Sequence, residues 1–111
     1  AAIVWPKKVT PFTLLIINLK VDNENIRRFC QFVYSSLKKK GMDILYDDRN
    51  ERPGIKFSDA DLLGIPYNLI VGKNFVNKDT ITLKDRYSDK EFDLSVKEAE
   101  KKIIEYINSE K

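Results

Sequence analysis

The sequence predicts an α/β fold: a mixed sheet, parallel in its first part, with an antiparallel hairpin at one edge, in the order β-α-β-α-β-β-β-α. Three observations carry this. The run Leu14-Leu15-Ile16-Ile17-Asn18-Leu19 is apolar at nearly every position, the mark of a central strand covered on both faces. A stretch of helical period follows it and leads to a second short apolar run, a strand–helix–strand unit that implies a parallel pair joined by a right-handed crossover. Farther on, residues 80–84 alternate polar and apolar and are joined by Tyr87-Ser88-Asp89-Lys90 to a partner over 91–94, which reads as a hairpin with one wet face.

Taken in order, residues 1–12 read as an extended lead-in, because Pro6 and Pro11 push Trp5 and Thr10 away from helix. After the strand at 14–19, Asp22 or Asn23 caps a helix and Glu24 sits in its positive first turn. Ile26, Phe29, Cys30, Val33 and Leu37 share one face of that helix. Lys38-Lys39-Lys40 lies at its negative end and Gly41 supplies the stop. Residues 42–46 form the second strand, and a charged loop follows over 47–54. Ser58-Asp59-Ala60-Asp61 resembles a capping box, with Asp for the usual Glu, opening a short helix that ends at Gly64. Residues 67–71 are the third strand, and 73–78 a turn-rich connection to the hairpin. Ser95-Val96-Lys97-Glu98 is a full capping box, and Val96, Ala99, Ile103 and Ile107 give the last helix its apolar face. There is no internal repeat and no low-complexity segment.

Composition narrows the function. A chain of 111 residues is one domain with a single core. Apolar content of 42% and charged content of 33% fit a globular rather than a disordered chain. The net charge of +3 is compatible with nucleic acid but well short of a non-specific binder. With Cys30 as its one cysteine the chain forms no internal disulfide, which points to a reducing compartment. The absence of histidine removes His-based acid/base catalysis and most zinc sites. No apolar run approaches the ~20 residues that span a bilayer. The start at Ala1-Ala2 without Met reads as a piece cut from a longer chain.

The candidate working surface runs from Tyr46 to Gly72. In open sheets ligands bind beyond the carboxyl ends of the parallel strands, and the segments starting near Lys20, Asp47 and Gly72 meet there. Asp47-Asp48 could serve as an acid/base pair or a magnesium site, or end a strand with Arg49 or Arg52 as ion partners. No activated nucleophile and no phosphate-cradling glycine loop accompanies them. Cys30 sits on the buried face of its helix, where a packed thiol is expected. Arg49, Arg52, Lys56 and Lys73, interleaved with Phe57 and Tyr67, supply cations for phosphates and rings for stacking, as single-stranded RNA recognition requires. Asp59 and Asp61 could accept the N–H donors of a guanine edge, or simply stabilise a helix N-terminus. RNA binding and a protein-interaction module both remain open on these grounds. The lysines at 38–40 and on the last helix read as solvated faces.

The stretch Leu45-Tyr46-Asp47-Asp48-Arg49-Asn50-Glu51-Arg52-Pro53-Gly54-Ile55-Lys56-Phe57-Ser58-Asp59-Ala60-Asp61-Leu62-Leu63-Gly64-Ile65-Pro66-Tyr67 resembles the signature of the C-terminal anticodon-binding domain of bacterial-type prolyl-tRNA synthetases. Ile3-Val4-Trp5-Pro6 with Pro11-Phe12, and Val71-Gly72-Lys73, are similar to that family as well. The resemblance covers nearly the whole chain; threonyl, histidyl and glycyl synthetase domains share the fold and only fragments of this wording. It implies a five-stranded mixed sheet flanked by three helices, with 1–12 a linker from a catalytic domain and 13–111 the anticodon-binding domain. It implies a role in gripping the anticodon loop of proline tRNA, whose second and third anticodon positions are guanine, while a catalytic domain elsewhere uses ATP and magnesium to attach proline. The fragment itself is then non-catalytic and holds no cofactor or metal, and the parent is a cytoplasmic homodimer. Asp59 is the implied reader of a guanine edge; Lys56 and Arg52 would meet phosphates or guanine acceptors, and Phe57 would stack. Asp47, Asp48 and Arg49 would shape the loop and reach toward the anticodon, with Asp61 and Lys73 beside them. Asn18 departs from the family, which commonly has a proline near that point. The alternative reading is a non-catalytic accessory module on the same fold, or the corresponding domain of another class II synthetase.

Overall fold

Apolar strands of this length leave both faces needing cover, and the chain supplies helices to both. In the computed structural model, which describes residues 12–109, the order is β1 (Leu14–Asn18), α1 (Glu24–Lys39), β2 (Ile44–Asp47), α2 (Pro53–Leu63), β3 (Tyr67–Val71), α3 (Lys73–Lys78), β4 (Thr80–Asp85), β5 (Lys90–Ser95) and α4 (Ala99–Ser109). The five strands form one sheet in the order β2-β1-β3-β4-β5. β1 pairs parallel with both β2 and β3, and β3–β4 and β4–β5 are antiparallel. The fold class is as expected.

Side-chain alternation divides β1 between two cores. Leu14 and Ile16 join Ile26, Cys30, Val33 and Leu37 of α1 and Ala99, Ile103 and Ile107 of α4 in the larger one. Leu15 and Ile17 turn the other way, onto Ala60 of α2 and Ile65. Helix α1 starts where the sequence places it: Asn23 Oδ1 accepts the Ile26 N–H at 3.1 Å, and Gly41, at φ +91°, takes the left-handed turn after its end. Ser36 and Lys40 both donate to Glu100, each at 2.6 Å, which ties α1 to α4. Buried Asp85 closes the hairpin, accepting N–H groups of Tyr87 and Ser88 on one oxygen and the Tyr106 hydroxyl on the other.

Four local expectations are corrected. Helix α2 begins at Pro53, five residues before the anticipated capping box, because proline at the first helical position presets φ. Ser58 therefore caps nothing, and Asp59 and Asp61 lie in the second half of the helix. Residues 73–78 are a short fourth helix rather than a connection built of turns. Ser95 makes no side-chain cap; a 3-10 turn over Val96–Glu98 precedes α4. Strand β2 is shifted along the chain to Ile44–Asp47, since Gly41 needs the residues after it to complete the turn. The anticipated lead-in over 1–12 lies outside the described residues except for Phe12, which packs on the smaller core.

Leu69, fully buried at the centre of β3, should cost about 2–5 kcal/mol when cut to alanine. Phe32, on the solvent side of α1, should change stability by less than about 0.5 kcal/mol on the same substitution. Urea unfolding followed by far-UV circular dichroism measures both.

Candidate nucleic-acid interface

Three parallel strands deliver three loops to one edge. Ile17 is level with Asp47 and Asn18 with Val71, so the chain leaves β1, β2 and β3 side by side. Leu19 N–H donates to the Val71 carbonyl at 2.9 Å. Gly72 lies close against Leu19, where a Cβ would come within 3.2 Å of that side chain, and Lys73 opens α3 directly after it. A polar cleft of 520 Å³ lies along this edge, lined by Asn18, Lys20, Asp22 and Asn23 on one side and Asn50 and Glu51 on the other.

Beneath the 48–52 loop lies a chain of alternating charge. The Lys56 ammonium, 1% exposed, donates to the Asn18 carbonyl at 2.6 Å and the Asp47 carbonyl at 3.3 Å. It stands 3.7 Å from the Asp47 carboxylate. Arg49 grips both oxygens of that carboxylate, Nε at 2.9 Å and Nη2 at 3.0 Å, and the same Nη2 donates to Asp59 at 2.8 Å. Burial pushes the Asp47 carboxyl up, but the hydrogen bonds from the Arg49 side chain and backbone, with the Lys56 charge, outweigh it and hold the group below the usual aspartate range. Hydrogen bonds to the Asp47 and Asp59 carboxylates in turn raise Arg49 beyond its ordinary value. Asp47 thus has two cations where a magnesium site was one reading. Among the described residues no cluster of three or more Cys, Asp or Glu side chains could hold a metal.

The anticipated site residues separate into groups. Asp48, Arg49 and Arg52 are exposed on the loop and Lys73 is exposed at the start of α3, all at the carboxyl edge. Phe57 is 37% exposed on α2. Asp59 reaches the group through Arg49. Asp61 does not: its partner is Arg86, at 2.8 Å, just beyond the Asp85–Tyr67 pair at the other end of β3. Tyr67 is buried at that same far end, which removes it from the edge. Lys56 is the sharpest correction, since an enclosed ammonium with carbonyl partners does not present itself to phosphate.

Sequence reasoning singled out Asn18 as a departure from the family but gave it no structural role. Its amide donates to the Tyr46 hydroxyl at 3.1 Å and its side-chain oxygen accepts the Lys20 N–H at 2.8 Å, so it shapes the first loop. One polar residue inside an apolar strand was the available signal. Burial pushes Tyr46 up to about 12 and the Cys30 thiol up to about 12 as well, which leaves that thiol protonated and packed, as its helix position suggests.

Comparison with known proteins agrees with this architecture. The sequence profile of the family described as "Anticodon binding domain" matches residues 13–106. The proline–tRNA ligase of Bartonella tribocorum is 44% identical over 96 residues, covering 86% of this chain and 22% of that protein. That of Buchnera aphidicola is 37% identical over 105 residues, covering 93% of this chain and 18% of the relative. A crystal structure of prolyl-tRNA synthetase from Cryptosporidium parvum with L-proline and AMP superposes with a TM-score of 0.81 at 28% identity, covering 97% of this chain and 24% of the other. The chain therefore spans about a fifth of its relatives' length.

Three carboxyls, Asp47, Asp85 and Glu100, are held below their usual range in the folded chain. Their stabilisation is complete above the unfolded values, about 4, and is lost as pH falls through the lower folded ones. Asp47→Asn should lower the urea midpoint at neutral pH and flatten its decline below about pH 4. Urea midpoints collected from neutral to acidic pH read both effects.

Proposed function

The chain belongs to the anticodon binding domain family, and from that footing we propose that it holds the anticodon loop of proline tRNA for a proline–tRNA ligase of which it is one domain. The observation that carries the reading is the gathering of Arg49, Arg52 and Lys73 at the carboxyl edge of β1–β3, with the half-exposed ring of Phe57 on the adjoining helix. The cations hold phosphates; the ring offers a face on which a splayed base stacks. Asp48 and Asp59 supply acceptors for the N–H donors of guanine. Asp59 holds Arg49 through Oδ2, and a carboxylate's second oxygen accepts a guanine N–H.

In this reading residues 1–12 are a linker from the catalytic part and 13–111 the tRNA-gripping domain. The catalytic part of the parent uses ATP and magnesium to activate proline, and the parent works as a cytoplasmic homodimer. The relatives' names and their length, about five times that covered here, support a domain that binds tRNA while the chemistry happens elsewhere. Among the described residues no helix is long and apolar enough to cross a membrane.

Fluorescence anisotropy with an anticodon stem-loop tests the proposal. Replacing the two guanines should weaken binding by roughly 1–3 kcal/mol each. Asp59→Ala should weaken binding to the guanine-bearing loop selectively. Arg52→Ala should weaken binding to every sequence and lower the salt slope by about 1. Equal affinity for loops with and without the guanines would overturn base reading by this chain.

A further inference from the structure

We propose that Lys56 is the positioning residue of this interface: its buried ammonium fixes the adjoining ends of β1 and β2 so that the 48–52 loop is preformed for RNA, while Lys56 itself touches no RNA. The inference rests on the anticodon-loop reading and says which residue prepares the surface for it.

An ammonium has three N–H donors. In Lys56 two are spent on the Asn18 and Asp47 carbonyls, and the Asp47 carboxylate lies 3.7 Å away to balance the charge. With the side chain 1% exposed, the third donor is enclosed on the side of that carboxylate and out of reach of a phosphate. The partners matter as much as the burial. Asn18 and Asp47 are the last residues of neighbouring strands, so Lys56 joins two backbones where the sheet ladder ends and the loops begin.

The loop is also held at its exit. Asp47 is its last fixed residue on the way in, and Pro53 starts α2 only three residues before Lys56. Five residues, 48–52, thus run between two anchors that one ammonium connects. Arg49, bound to Asp47 and Asp59, fixes the loop from the side. The four groups Lys56, Asp47, Arg49 and Asp59 alternate in sign and sum to zero. The exposed cations of the edge supply the phosphate attraction, and the buried one supplies geometry. A loop ordered before binding loses less conformational entropy on capture.

Three measurements on the full chain test it. In lysine footprinting by acetylation of the wild-type chain, Lys56 should be unreactive with and without the guanine-bearing stem-loop, whereas Lys73 should react freely and be protected by RNA. In Lys56→Met, a chain of similar length without donors, RNA affinity should fall about tenfold with the salt slope unchanged. Amide hydrogen exchange over 48–52 should quicken in that variant. A Lys56 that reacts when free and is protected by RNA, a salt slope lowered by about one, or unchanged affinity in Lys56→Met would each overturn the inference while leaving anticodon binding standing. If the wild-type chain binds neither loop, the anticodon reading fails and the inference with it. Should Lys56→Met not fold, the wild-type footprint alone decides.

Discussion

A buried ammonium is costly unless every donor finds an acceptor and its charge a counter-charge nearby. Lys56 places two donors on backbone carbonyls from the ends of β1 and β2, and the Asp47 carboxylate 3.7 Å away balances its charge. Much of the candidate surface depends on that arrangement. Asp47 is oriented by it, Arg49 is oriented by Asp47, and Asp59 on α2 by Arg49. Removing one partner would leave strand-end carbonyls or a carboxylate without its match in a nearly dry environment, where the penalty exceeds what the intact bond contributes.

The sheet sets where this network can act. With β1 between β2 and β3 and parallel to both, its own end and theirs face the same way, and three loops converge without any long excursion of the chain. The two faces are unequal. α1 and α4 share a large core, while α2 covers the other face on a small apolar cluster. Ile55, Phe57, Leu62 and Leu63 of α2 remain exposed, so this helix is apolar on its outer side as well as its inner one.

That double-sided character explains why some elements were readable and others were not. The apolar run of β1, the period of α1 and the alternation of β4 each report a burial pattern that the sequence repeats, and each strand or helix lies where that pattern puts it to within a residue or two. α2 has no such period, so its beginning was sought at Ser58-Asp59-Ala60-Asp61 instead of at Pro53. The error put both acids at a helix N-terminus, whereas they lie in the second half of α2. α3 is six residues long, too short to show a period at all.

The sequence by itself determined the fold class, a first strand that is interior to the sheet and covered on both faces, and the stretch between Tyr46 and Gly72 where charge and aromatic residues gather. Those properties are written in local periodicity and in composition, which act through neighbouring residues. Only the tertiary structure decided which charges face outward. Lys56 and Arg52 look alike along the chain, yet one is enclosed by carbonyls from strands 38 and 9 residues away in sequence and the other lies on an exposed loop. Asp59 and Asp61 are two positions apart on one helix but pair with Arg49 and Arg86 at opposite ends of the sheet. Burial and ion pairing are set by what the folded chain brings alongside a group, and no local pattern carries that information.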